Sequence, residues 1–223
     1  MKELGNRKGS AAIVRIGIAL MLALTATKIV PASNIAGYSV FVGIAFFFVT
    51  EAVSRTPDPE SGLRFRGVGK ELKKPDVLLW MALPSVRGIL TLIVGNWLFG
   101  GAFATHVVGR TSAFLSFDQG LWLVVQLALG AFGEEIAYRG FFLGKGMKLF
   151  PFWLCMLVSS LAFAFGHLAS GNLWLVAYDV AGVFVDSLIY SMIYYKTSNC
   201  VMSTLAHLLA NAISIAALFL FVL

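Results

Sequence analysis

Six side chains of this 223-residue chain have the types and spacings that water-activating chemistry requires. Glu134 and Glu135 are adjacent, and Arg139 follows Glu135 by four residues. On a helix, adjacent side chains point about 100° apart, whereas residues four apart stack on one face. Arg139 is therefore expected to pair with Glu135, which leaves Glu134 as the unpaired carboxylate and a candidate general base. His167 closes the run Phe163-Ala164-Phe165-Gly166-His167, and His207 precedes Asn211 by four residues, so that pair shares a face. A carboxylate, two imidazoles and a carboxamide can hold a water, polarise a carbonyl or bind a divalent metal. Asn211 would offer a donor to an oxyanion without titrating.

Each feature also has a plainer reading. An intramembrane histidine commonly does no more than bond a neighbouring helix. A Glu–Arg pair four apart is commonly structural, and Glu134 alone would suit a membrane boundary. All the plain readings must hold together, in a chain with three histidines. His106, in an expected external loop, has no such company and is assigned no role.

The elements that must carry these residues are membrane helices. Hydrophobic residues make up 59% of the chain and charged ones 13%, about half of what a soluble domain uses; mean hydropathy is +0.85. Apolar stretches long enough to span a bilayer recur between short polar ones. The expected fold is all-α, a polytopic transmembrane bundle of about seven helices near 11–30, 36–53, 77–100, 119–146, 152–168, 172–195 and 200–222. Lys2, Arg7 and Lys8 before the first apolar run give it the look of a signal peptide, but Arg15 interrupts that run and a retained helix is expected. The longest polar stretch, Ser54 to Asp76, contains Arg55, Pro57, Pro59, Arg64, Arg66, Lys70, Lys73 and Lys74. It reads as a cytoplasmic loop with an interfacial helix around Gly69–Lys74. Pro84 suggests a kink in the third span. Basic connections alternate with the uncharged ones at 31–35 and 169–171, which fits seven crossings of the cell membrane with the N-terminus cytoplasmic. The net charge of +6 follows from that bias and implies no nucleic-acid partner. Cys155 and Cys200 offer neither a disulfide framework nor a metal spacing and read as packing residues.

The residues quoted above resemble a known family. Glu-Glu-x-x-x-Arg at 134–139, Phe-x-x-x-His at 163–167 and His-x-x-x-Asn at 207–211 look like the three signatures of the CAAX prenyl protease and bacteriocin-processing (Abi) family of intramembrane endopeptidases. The turn Ile193-Tyr194-Tyr195-Lys196-Thr197-Ser198-Asn199 looks like the family's turn before its last motif. The resemblance covers about residues 119–215, the expected catalytic core, with 1–118 supplying further helices and the basic loop. It implies an endopeptidase of the glutamate or metallo type, cutting a membrane-associated or lipid-modified substrate among membrane lipids. Glu134 would activate water with help from His167, Glu135 and Arg139 would orient the site, and His207 and Asn211 would stabilise the oxyanion. Zinc would find candidate ligands in Glu134, His167 and His207, although no H-E-x-x-H motif is present.

Two features sit awkwardly with that picture. Asp179 and Asp186, seven residues apart in the sixth span, stand where the family has small apolar residues. They would widen the polar cavity, select a basic substrate, or partner Arg87 or Arg15. Depth is the second difficulty. At 1.5 Å per residue, Glu134 and His167 lie roughly 24 and 26 Å from the turn near Phe150, but His207 only about 12 Å from the turn near Asn199. Two rival functions use the same residues. A proton-coupled transporter would use them as a relay but should show inverted repeats; a non-catalytic immunity or scaffold protein of the same fold would keep the motifs without the chemistry. Neither a Gly-x-Ser-Gly nucleophile nor a Gly-x-Gly before Asp179 supports another peptidase class, and Ser170-Gly171 reads as a turn.

Overall fold

A computed structural model describes residues 2–29, 35–54 and 61–221. Arg55, Pro57, Pro59 and most of the 31–35 connection lie outside the described residues, as do the side chains of Lys2, Arg7 and Lys8. The described residues are almost entirely helical. In chain order the helices are α1 (Lys2–Ala26), α2 (Tyr38–Ser54), α3 (Val68–Glu71), α4 (Pro75–Leu98), α5 (Ala102–Thr111), α6 (Gly120–Glu135), α7 (Phe152–Gly166), α8 (Leu173–Thr197) and α9 (Cys200–Phe221). From Ile136 to Lys145, α6 continues as a π-helix.

Among the described residues, six helical stretches are long and apolar enough to cross a membrane: Gly9–Ala26, Ile35–Ser54, Pro75–Leu98, Gly120–Lys145, Leu173–Thr197 and Cys200–Leu220. The protein is a multi-pass membrane protein of the all-helical class anticipated above. Helix α7 is the exception to the expected spans. Its 15 residues extend about 22 Å, short of the roughly 30 Å of a hydrocarbon core. His167 caps its C-terminal end. Two other expectations are refined. The interfacial helix is the single turn α3, and α4 continues through Pro84 as one helix.

The 101–118 connection is not the simple loop expected; it contains α5, which packs on α4. His106 is accordingly not a loop residue. It lies on α5 against Asp179 of α8, with Nε2 3.3 Å from the carboxylate.

Three apolar clusters hold the bundle. The largest surrounds the π-helical segment, whose Ala137, Phe141, Phe142 and Leu143 bury against Met21 of α1 and Phe47 of α2. Close approach here depends on glycine: a Cβ on Gly43 would stand 2.6 Å from that of Ala137, so α2 seats against the π-helix only without a side chain at that point. A second cluster joins Val77 and Met81 of α4 to Tyr190 and Ile193 of α8 and Met202 and Ala206 of α9. The third, Leu92, Phe103, Leu175 and Leu218, closes the opposite end.

Residues 61–67 form a strap across one end of the bundle. Asn199 accepts from the Arg64 N–H at 3.0 Å and donates to the Arg64 carbonyl at 2.7 Å. The Cys200 N–H donates to the Gly62 carbonyl at 2.7 Å. Lys145 is buried beneath it, paired with Glu51 and donating to the Ser61 carbonyl. Both cysteines are free and buried, as packing residues should be.

Candidate active site

The adjacent carboxylates diverge as helical geometry requires. The Glu135 side chain is fully buried, while Glu134 keeps 27% of its side chain exposed and lines a cavity. Burial of an ionised carboxylate is tolerable only with partners, and Glu135 has two. Its Oε1 accepts from Arg139 Nη1 at 3.0 Å, and His207 Nδ1 lies 3.0 Å from the same oxygen.

Arg139 is just as dry, at 1% exposure. Its Nη2 donates to Ser187 of α8, at 2.9 Å to the carbonyl and 2.7 Å to the hydroxyl. The guanidinium lies over the rings of Phe163 and Tyr190, 4.9 and 5.3 Å from their centroids. Charged pairs at membrane depth are expensive unless they face inward and are paired; Glu135 and Arg139 do both, although Glu135 Oε2 and Arg139 Nε are buried without a hydrogen-bond partner among the described residues. The change from α to π winding begins at the residue after Glu135, a position where such winding commonly marks function.

Glu134, His167, His207 and Asn211 share the wall of one cavity of about 320 Å³. His207 faces both carboxylates: its Nε2 lies 3.7 Å from Glu134 Oε2, while Nδ1 is held by Glu135. His167 is oriented by its own helix end, with Nδ1 2.8 Å from the Phe163 carbonyl and its ring 4.7 Å from that of Phe163. Of the six candidate residues, then, four reach the cavity, and Glu135 and Arg139 stand behind them.

The depth difficulty has a simple physical resolution. The two turns used as rulers are not level. Cys200 Sγ lies beside Gly140, 3.7 Å from where a Cβ there would stand. Helix α9 thus starts well inside the turn near Phe150, with the strap covering its N-terminus. His207, seven residues on, therefore reaches Glu135 directly.

Asp179 and Asp186 both line the cavity, as their seven-residue spacing suggested. Asp186 pairs with Arg87 of α4, one of the partners foreseen, and Arg87 Nη1 also donates to Thr91 at 2.9 Å. Asp179 takes Arg110 at 2.8 Å and His106 at 3.3 Å, both from α5. His106, expected in a loop and given no role, thus sits on a helix beside Asp179. Ser187 and Tyr190 also escaped the sequence reading. They are one of two serines and one of four tyrosines in α8 and belong to no motif, and only their three-residue spacing hinted at a common face.

Among the described residues, no three His, Cys, Asp or Glu side chains come together in a group able to hold a metal ion. The set Glu134, His167 and His207 shares a cavity but does not form such a group.

Residues 116–213 match the model of the family described as type II CAAX prenyl endopeptidase, Rce1-like. This is the intramembrane CAAX protease family that the three motifs resemble, and the matched stretch contains all six candidate residues. No curated protein and no solved structure matches the chain.

Proposed function

We propose that the protein is an intramembrane endopeptidase in which Glu134 activates water for attack on a peptide bond of a membrane-associated or lipid-modified substrate. The observation that carries this reading is the convergence of Glu134, His167, His207 and Asn211 on one cavity, with Glu135 and Arg139 buried behind them.

In this mechanism Glu134 takes a proton from a water held between it and His167 as the water oxygen bonds to the substrate carbonyl carbon. The tetrahedral oxyanion receives hydrogen bonds from the Asn211 amide and His207 Nε2. With Nδ1–H donated to Glu135, Nε2 can donate only when the imidazole carries both protons. Its two nitrogens face Glu135 at 3.0 Å and Glu134 at 3.7 Å. Collapse of the intermediate breaks the C–N bond, and the proton on Glu134 passes to the departing amine. Arg139 and Ser187 keep Glu135 in place so that His207 has a fixed acceptor.

The end of the bundle bearing Lys74, Lys145, Lys148 and Lys196 is the proposed cytoplasmic face, following the positive-inside bias. Residues 119–215 are the proposed catalytic core. The deciding experiment compares cells expressing the wild type with cells expressing Glu134→Gln at matched membrane abundance, mapping new peptide termini by mass spectrometry. Termini present only with the wild type support the peptidase and name its substrates. Identical terminus maps from two folded, abundant proteins overturn it in favour of a carrier or scaffold.

A further inference from the structure

We propose that Tyr190 is a positioning residue that fixes the plane of the His207 imidazole, an inference that rests on the catalytic reading above. Its ring stacks on that of His207, with centroids 4.6 Å apart and planes within 20°. Among the described residues, the imidazole has one hydrogen-bonding anchor, Nδ1 to Glu135 at 3.0 Å. One hydrogen bond fixes the position of one ring atom. It restrains the ring only loosely, because the torsion joining an imidazole to its Cβ has a broad well and a hydrogen bond tolerates bending.

Turning would carry Nε2 away from Glu134, now 3.7 Å off, and away from the place where an oxyanion must form. A flat aromatic face removes that freedom, and the edge of Phe163, 6.0 Å from His207, bounds the ring from a second direction. Tyr190 is itself immobilised: it is 2% exposed and packed with Met81, Ile193 and Met202. Its ring also lies 5.3 Å below the Arg139 guanidinium, so one side chain braces both partners of Glu135. The stacking face performs this task, and the phenol hydroxyl is not required.

The test uses the full-length protein in lipid nanodiscs with two readouts. One is turnover of a synthetic peptide spanning a cut site mapped by the Glu134 comparison. The other is the nitrogen and ring-proton NMR spectrum of ¹⁵N-histidine-labelled protein; with three histidines in the chain, His106→Gln and His167→Gln assign the signals. Tyr190→Phe is expected to stay within about threefold of wild-type turnover and to preserve the ring-current-shifted His207 signals. Tyr190→Leu should lower kcat by roughly 10- to 100-fold, the scale of an ångström misplacement, with KM changed less than twofold. Its His207 signals should lose the ring-current shift.

In a His207→Ala background Tyr190→Leu should cost nothing further, since a residue acting through another is non-additive with it. Tyr190→Met, which refills the space without a flat face, serves if the leucine variant fails to fold. Wild-type kcat without the stack, an equal loss in the His207→Ala background, or an equal loss in Tyr190→Phe overturns the proposal. Should the wild type cleave no peptide, the catalytic reading fails, and the spectra decide separately whether Tyr190 holds the ring.

Discussion

Glu134 and Glu135 are neighbours in the chain and opposites in environment. Behind the cavity, Glu135, Arg139, Ser187 and the Nδ1 edge of His207 form a dry layer with close mutual hydrogen bonds. Inside the cavity, Glu134 is partly exposed and has a histidine nitrogen at 3.7 Å. The difference separates two tasks. In the proposed mechanism, a group that must move a proton needs access and an uncommitted lone pair, whereas a group that must hold another still needs fixed partners of its own. One helical step of 100° assigns the two tasks to adjacent carboxylates.

The comparison can be broken most directly at Glu134. Glu134→Gln is expected to lower turnover by about 10³-fold or more, in the range general-base removal produces, with the melting temperature unchanged because the side chain supports little else. A matching fall in stability would erase the distinction. The dry layer should respond the other way. Arg139→Met leaves the Glu135 charge without its guanidinium and should cost about 3–5 kcal/mol of stability, read as lost thermal resistance in detergent. The double variant Glu135→Leu/Arg139→Met should recover most of that stability, because well-packed apolar replacements of a buried pair are often neutral, yet remain inactive because His207 has lost its acceptor. Asn211→Ala, on the cavity side, should reduce kcat by about 10²-fold with little change in stability, as the loss of one oxyanion donor does. At the small end, Lys196→Ala removes an exposed pair with Asp76 and should change neither turnover nor melting temperature measurably.

Much of this arrangement was legible because helical spacing is a strong constraint. Four-residue intervals placed Arg139 beside Glu135 and put Asn211 on the His207 face, and the seven-residue interval aligned Asp179 with Asp186. Spacing within one helix says nothing about how far one helix is set into the bilayer relative to another. That is why the depth of His207 looked wrong until Cys200 was found against Gly140. The winding change after Glu135 was equally hidden, since the residues from Ile136 to Lys145 satisfy an α pattern as readily as a π one. Helix α5 was missed because a ten-residue helix outside the apolar spans has too weak a periodicity to stand out. Tyr190 was invisible because its significance lies in a ring plane, and a sequence carries no planes.

The strap over residues 61–67 has a consequence for biogenesis. Its partner Asn199 is synthesised 135 residues after Arg64, so the ribosome delivers the strap long before anything exists to fasten it. The earlier spans must wait in the bilayer with that belt unbuckled, and it closes only once the hairpin of α8 and α9 has been inserted. A chain stopped at Ser198 should therefore expose residues 61–67 to protease in intact cytoplasmic-side-out vesicles, whereas the full chain should protect them. The last helices are in this sense the clasp that completes the first.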